Sequence, residues 1–321
     1  MNLNLDLKDK KILYELDLDS RQSNKQIARK VGLSEMVTSN RIKRLIDKKI
    51  IEKFYVKINP KLLGYYHVKI FLKLHNITKE KEEELLNYLN SKSEILWLVT
   101  VRGKYELIVS ILIQDLTEYS KKYQEIFGEW GNYIYERSTI FVEKASTFNK
   151  AFLLPKQKTE EVYYGVGELM PKIDQKDLHL LNILNKEGRK PIIDIAKEIK
   201  LSADAVKYRL NNLQKKKIIT GFGVKIDFNK LGDYYYLIFL RFQNMDEDKY
   251  NKLKTLCKLS RNVLFFIRTI GDHDIELEVE ISAKEELDQL IRSIRDHFLT
   301  EIKDFEILEV TKEHRLSYYP F

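Results

Sequence analysis

The chain has 321 residues, of which 44% are apolar and 32% charged, and a net charge of +8. That is the profile of a soluble globular protein with room for several cores, and no stretch approaches the roughly 18 apolar residues needed to span a bilayer. The start MNLNLDLKDKK lacks a signal peptide's order of basic, apolar and small residues, and a single cysteine, Cys257, excludes an internal disulfide and fits a reducing compartment, so a cytoplasmic location is expected.

In chain order, residues 6–18 predict a helix with Ile12, Leu13 and Leu16 as its inner face. Ser23 suits the N-cap of a second short helix near 24–31, which turns Ile27, Ala28 and Val31 inward. Gly32 and Leu33 make a tight turn, and Ser34 caps a third helix running to about Lys48. One face of that helix carries Thr38, Ile42 and Leu45; the other carries Glu35, Met36, Ser39, Asn40 and Lys43. Ile50 to Ile58 alternates like a short hairpin or wing. Three short helices, the third polar and basic outside, followed by a wing, predict a winged helix-turn-helix. An α-helix fits the major groove of duplex DNA and reads base edges with its N-terminal residues. Met36, Ser39, Asn40 and Lys43 are therefore the expected base readers, with Ser34, Arg41, Arg44 and wing Lys53 expected at phosphates.

After Gly64 the pattern switches. Strand 66–75, helix 79–91, strand 95–102, a turn at Gly103-Lys104, strand 105–113, helix 115–127 and strand 133–144 give the βαββαβ order of a ferredoxin-like domain. Residues 145–154 are apolar enough to pack back on a sheet. Residues 155–171, with proline at both ends, two glycines and mixed charge, predict a linker; as a random coil it spans roughly 20–25 Å.

The same organisation then recurs. Offset by 168 residues, Leu5–Tyr66 lies over Ile173–Tyr234 without a gap, with 23 of 62 positions identical. The βαββαβ elements follow as strand 234–243, helix 246–259, strand 263–270, a turn at Gly271-Asp272, strand 274–282, helix 283–298 and strand 303–312. A period this long exceeds that of solenoid repeats, so a whole module is present twice. The expected organisation is α+β: winged helix-turn-helix over 1–60, ferredoxin-like domain over 61–154, linker over 155–171, winged helix-turn-helix over 172–229 and ferredoxin-like domain over 230–321.

The charge divides along the same boundaries. Residues 1–60 hold 14 Lys/Arg against 8 Asp/Glu, and 172–230 hold 14 against 7, whereas 61–171 balance at 15 each and 231–321 hold 13 against 18. The whole positive excess lies in the two helix-turn-helix units, as a nucleic-acid partner requires. The second recognition face presents Ala203, Asp204, Lys207, Tyr208 and Asn211. Asp204 suits the helix dipole but repels phosphate. Ser202, Lys207, Tyr208, Arg209 and Asn211 are still expected at DNA, reading a different sequence from the first copy. Glu276, Glu278 and Glu280 alternate with Ile275, Leu277 and Val279, so one face of that strand is wet or meets a partner.

The run LSEMVTSNRIKRLIDKKIIEKFYVKINPKLLG, and with it LSADAVKYRLNNLQKKKIITGFGVKIDFNKLG, resembles the helix-turn-helix signature of the Lrp/AsnC (feast/famine) transcriptional regulators. The βαββαβ halves resemble that family's ligand-sensing and dimerisation domain, with its Gly-x-x-Asp turn intact at Gly271-Asp272-His273-Asp274. The resemblance implies a sequence-specific transcriptional regulator bound to double-stranded DNA, no cofactor and no catalysed reaction. It also implies sensing domains that pack together, here as an intramolecular pseudo-dimer with further homo-oligomers expected. A small effector, commonly an amino acid, is expected near the turns, which implicates Gly103, Glu106, Gly271 and Asp274; Glu106 stands where the family has Asp.

Two alternatives belong beside this reading. The siroheme decarboxylases share the fold, but their His-Cys-Tyr-x-Arg strand has no match in Leu98-Val99-Thr100-Val101-Arg102 or Phe266-Ile267-Arg268-Thr269-Ile270, leaving only Arg102 and Arg268 for a propionate. A metabolite-sensing scaffold without DNA binding is the other. The six histidines show no zinc spacing, and GVGEL near Gly165 is not a phosphate loop because no GKS/T follows. Cys257 fits a small core residue.

Overall fold

The computed structural model describes residues 5–155, 159–165 and 171–319; the expected linker positions 156–158 and 166–170, and both extreme termini, lie outside the described residues. The first repeat begins with α1 (Leu7–Leu18), α2 (Asn24–Val31) and α3 (Glu35–Asp47), then β1 (Ile51–Ile58). Local chemistry fixes each start: Asp6, Ser23 and Ser34 accept backbone N–H groups of Asp9, Gln26 and Val37, and Gln26 completes a capping box with Ser23. Gly32 ends α2 with φ 66°, a left-handed residue that glycine adopts without penalty.

There follow β2 (Tyr66–Leu74), α4 (Lys79–Ser91), β3 (Ile95–Arg102), β4 (Leu107–Ile113), α5 (Leu116–Phe127) and β5 (Ile134–Phe148). A short strand, β6 (Glu161–Tyr164), pairs with the end of β5. The expected linker is corrected at that point: alternating Val162 and Tyr164 give it a face to bury. The second repeat supplies α6 (Gln175–Lys186), α7 (Ile192–Ile199), α8 (Ala203–Lys215), β7 (Ile219–Ile226), α9 (Phe228–Leu231), β8 (Tyr234–Phe242), α10 (Glu247–Leu259), β9 (Val263–Ile270), β10 (Ile275–Ile281), α11 (Lys284–Phe298) and β11 (Ile302–Leu316).

The two repeats share one sheet. Strands run β2-β4-β3-β11-β8-β10-β9-β5, and β5 pairs back with β2, closing an eight-stranded antiparallel ring. Closure comes from the last strand of each repeat, longer than expected: β5 serves its own β2 and then the other repeat's β9, and β11 serves β8 and then β3. A ring has no free edge to template further pairing. Outside, α4 and α5 bury Leu85, Leu89, Ile126 and Phe127 on one arc, while α10 and α11 bury Leu253, Cys257, Ile294 and Phe298 on the other. Inside lie Phe71, Trp97, Val99, Leu237, Phe239 and Leu308.

The expected hairpin at Ile50 to Ile58 is corrected. β1 folds onto no neighbour of its own; it pairs antiparallel with β7 of the second repeat. Tyr55 faces Gly223 in that ribbon, and the two are equivalent under the 168-residue offset, so the pseudo-twofold axis crosses there. A side chain at Gly223 would come within 2.7 Å of the Tyr55 ring. The ribbon also completes each helical core with the other repeat's residues: Val224 and Ile226 join Leu13, Leu45 and Leu154, while Val56 and Ile58 join Leu181, Leu213 and Tyr319.

Candidate nucleic-acid interface

The recognition helices present the expected outer faces. On α3, Thr38, Ile42 and Leu45 are buried, while Ser39, Asn40 and Lys43 are exposed and Met36 is 71% exposed. On α8, Val206 and Leu213 are buried, Lys207 and Asn211 are exposed, and Tyr208 is 72% exposed. Ser34 and Ser202 occupy the N-caps, each accepting a backbone N–H at 3.2 Å. Lys207 lies 3.3 Å from Asp204, an ion pair that weakens its appeal to a phosphate.

Three residues expected at phosphates are engaged within the protein. Arg41 donates to Asp6 at 2.7 Å and to Asp9 at 2.9 Å, and Arg44 donates to the other oxygen of Asp9. Arg209 repeats the pattern with Asp174 and Asp177, both at 2.8 Å. Asp9 is 1% exposed, and a buried carboxylate needs a charged partner. The arginines therefore lash the recognition helices to the first helices, although Arg44 stays partly open to solvent. The signal was legible: Asp6, Asp9 and Arg41 recur together as Asp174, Asp177 and Arg209. Lys53 is likewise no outlying wing contact. It is half-buried near Arg315 and Lys225, and burial with these neighbours pulls its ammonium down to about 8. A ribbon strand at the centre of the molecule is not free to reach DNA as a wing tip.

The Gly-x-x-Asp turns have a structural part as well. Gly103 and Gly271 both have φ 147°, and a side chain on either would strike Leu308 or Ile140 of the opposite repeat. Glu106 accepts the Leu74 N–H and Asp274 the Phe242 N–H, each at 2.7 Å. Each carboxylate clamps the backbone of a neighbouring strand through one oxygen, so the Glu106 replacement preserves the clamp. A cavity of about 240 Å³ lies beside the turns, lined by Lys104, Ser138, Asp272, His273 and Glu306 among others.

Several residues were not singled out from sequence. Arg21 donates to the carbonyls of Gly188 and Lys190, and Arg189 reciprocates to Gln22 and Asn24, with the guanidiniums over Phe222 and Phe54. They rivet the two helix-turn-helix units together, and their recurrence at the repeat offset was the available clue. Inside the ring, Lys69 donates to Glu276 at 2.7 Å and Glu278 at 2.9 Å, and Tyr235 donates to Glu278. The alternating glutamates thus meet a partner, the other repeat's sheet.

Two recognition helices held on one ribbon define a winged-helix DNA-binding protein. Residues 5–52 and 173–220 both match the family described as "Winged helix-turn-helix DNA-binding". The chain is 40% identical over 117 residues to the HTH-type transcriptional regulator Ptr1 of Methanocaldococcus jannaschii, covering 36% of this chain and 78% of that protein. It is 30% identical over 126 residues to the proline dehydrogenase transcriptional activator of Rhizobium radiobacter, covering 39% and 78%. The chain belongs to the Lrp/AsnC family of helix-turn-helix transcriptional regulators, and it is a DNA-binding regulator of that type. Among solved structures, the siroheme decarboxylase NirDL shares the fold across 98% of this chain and 94% of its own, with TM-score 0.63 and 14% identity.

Proposed function

We propose that the two winged helices bind one DNA duplex as a fixed pair, with Met36, Ser39, Asn40 and Lys43 reading bases and Lys207, Tyr208 and Asn211 making the weaker second contact. The observation that carries this is the exposure of both polar helix faces on units locked together by the β1–β7 ribbon and the Arg21/Arg189 rivets. A rigid pair fixes half-site separation, near a multiple of the 34–36 Å helical turn. Effector control would act through the ring, because anything that shifts the sheets shifts the ribbon they adjoin. The working location is the cytoplasm, and further homo-oligomers would assemble through surfaces outside the ring.

No catalysed step is part of this reading. Arg102 pairs with Glu309 at the surface, and Arg268 is held by Glu143 and Glu247, so neither is poised for a propionate. Among the described residues, no His/Cys/Asp/Glu group could hold a metal ion. The test is a gel shift with genomic fragments across a salt series. Several neutralised phosphates predict that log affinity falls linearly with log salt; absence of duplex binding at low salt would sink the proposal.

A further inference from the structure

A groove of about 500 Å³ opens where the β1–β7 ribbon, the end of α6 and the end of β11 meet. The ribbon lines it with Glu52, Lys53 and Lys225, α6 with Lys186, and β11 with His314 and Arg315. Lys53 and Lys225 are direct cross-strand partners, a placement of like charges that is destabilising unless something offsets it. The pseudo-twofold mates of that pair are Gly221 and Lys57, also cross-strand partners, with one lysine between them. Leu18 and Thr147 stand at the mates of Lys186 and Arg315. The cationic cluster therefore belongs to one side of the molecule and is no requirement of the fold.

Of these cations, only Lys225 is neutralised. It lies 3.0 Å from Glu52 and 3.2 Å from Glu313. Lys53, Lys186 and Arg315 form no ion pair among the described residues. Arg315 gives Nη1 to the Asn90 carbonyl at 2.8 Å, and its Nε has no partner. Glu94 and Lys312 act from further away, on Arg315 and His314, one charge of each sign. Two side chains register the resulting positive field. Burial pulls Lys53 down to about 8, with Arg315 and Lys225 adding to it, and His314 down to about 4, with Lys312 and Lys225 adding. A half-buried ammonium without a counter-ion is costly, and a bound anion offsets that cost.

We propose that this groove binds the phosphate group of a small phosphorylated compound, held by Lys53, Lys186 and Arg315. The three donors stand on three different elements, and a tetrahedral phosphate offers oxygens in as many directions, whereas a carboxylate presents both of its oxygens in one plane. Arginine suits phosphate through its planar fork and lysine as a point charge. Several unpaired cations favour a dianion over a monoanion, and an amino acid is disfavoured because its ammonium would enter a positive field. The phosphates of DNA share this chemistry, but no residue of either recognition helix lines the groove. A compound bound here ties the second helix-turn-helix unit, through Lys186, to the ring, through Arg315. The inference goes beyond the DNA-binding reading and does not rest on it.

The test is calorimetric titration of the full-length protein with inorganic pyrophosphate at fixed ionic strength, with acetate and glycine as comparators. Pyrophosphate is expected to bind at least tenfold more tightly than either. Lys53→Met and Arg315→Met are each expected to weaken it at least tenfold, and Lys186→Gln severalfold, whereas Lys43→Glu on the first recognition helix leaves it unchanged. Lys186 is exposed, so its variant decides the matter if the other two fail to fold. A saturating DNA duplex is expected to leave pyrophosphate binding in place; competition between them would assign the groove to the DNA backbone and overturn the proposal. Absence of pyrophosphate binding, equal binding of acetate or glycine, loss in Lys43→Glu, or unchanged affinity in the groove variants would overturn it as well.

Discussion

The two repeats have the same elements in the same order, yet they face each other with opposite chemistry. Inside the ring the first repeat presents Lys69 among apolar neighbours, whereas the second presents Glu276, Glu278 and Glu280 along one strand. On the recognition helices, Met36 and Ser39 of the first correspond to Asp204 and Lys207 of the second, an acid and a lysine that pair with each other. The lesson is that duplication preserved the scaffold while the contacts across the pseudo-twofold became those of two different proteins. A symmetric pair would set Glu against Glu or Lys against Lys in a buried interior, which low dielectric makes costly.

The largest effect should come from that interior. Lys69→Met leaves two buried glutamates without their cation and should cost about 3–5 kcal/mol, whereas Leu237→Met at the equivalent position should cost under about 1.5 kcal/mol. Urea midpoints measure both, and equal losses would erase the asymmetry. Gly188→Ser and Ser20→Gly exchange equivalent residues. A Cβ at Gly188 would sit 2.7 Å from the Tyr55 backbone nitrogen, so the first should cost about 1–3 kcal/mol as an overpacked site and the second at most about 1 kcal/mol; thermal melts decide. On DNA, Lys43→Glu should lower affinity by about 1–3 kcal/mol. Lys207→Glu should cost less, because Asp204 already engages that lysine; a gel-shift titration in which both fall equally would refute the proposed division.

The smallest effect is on pH dependence. Burial holds His67 and His273 down to about 3, with Lys69 adding to it and Asp272 opposing it at His273. Their equivalents are Tyr235 and Tyr105, so only one position of each pair titrates in this range. A folded value below the ordinary 6.5 means stability is full above that pH and lost on acidification toward 3. Glu280 runs the other way. Burial raises it to about 7 despite Lys150, with Asp233 and Asp17 adding to the rise, so its contribution is full below 4.5 and lost as pH rises through 7. Glu280→Gln should therefore make stability climb more steeply with pH between 4.5 and 7; an unchanged slope in denaturation midpoints would contradict it.

Most of the architecture was legible in the sequence because its signals are local. Caps at Ser23 and Ser34, the inward sets Ile27-Ala28-Val31 and Thr38-Ile42-Leu45, and the glycine turns mark element bounds to within a few residues. What was not legible depends on partners far away in the chain. Nothing in Ile51 to Ile58 says that its partner is Ile219 to Ile226, and the spare alternation in β5 beyond residue 144 gives no hint that it crosses to β9. The Arg41 ion pairs went unread because a basic residue on a recognition helix suits phosphate and carboxylate equally well. Only the distance to Asp9 separates the two. The interior glutamates were seen as a face needing cover, but Lys69 is 207 residues from Glu276, beyond any periodicity argument.

The shared strands bear on how the chain comes into being. When the first repeat has left the ribosome, β3 and β5 lack their outer neighbours, and the core around Leu13 and Leu45 lacks Val224 and Ile226. Every one of those gaps is filled by residues made later, and β11, which closes the ring against β3, is the last of the ring strands in chain order. Contacts of such sequence separation form slowly, and unpaired edges invite aggregation while they wait. Four domains can be drawn on the sequence, but the strands and cores of the first repeat are completed only by residues of the second.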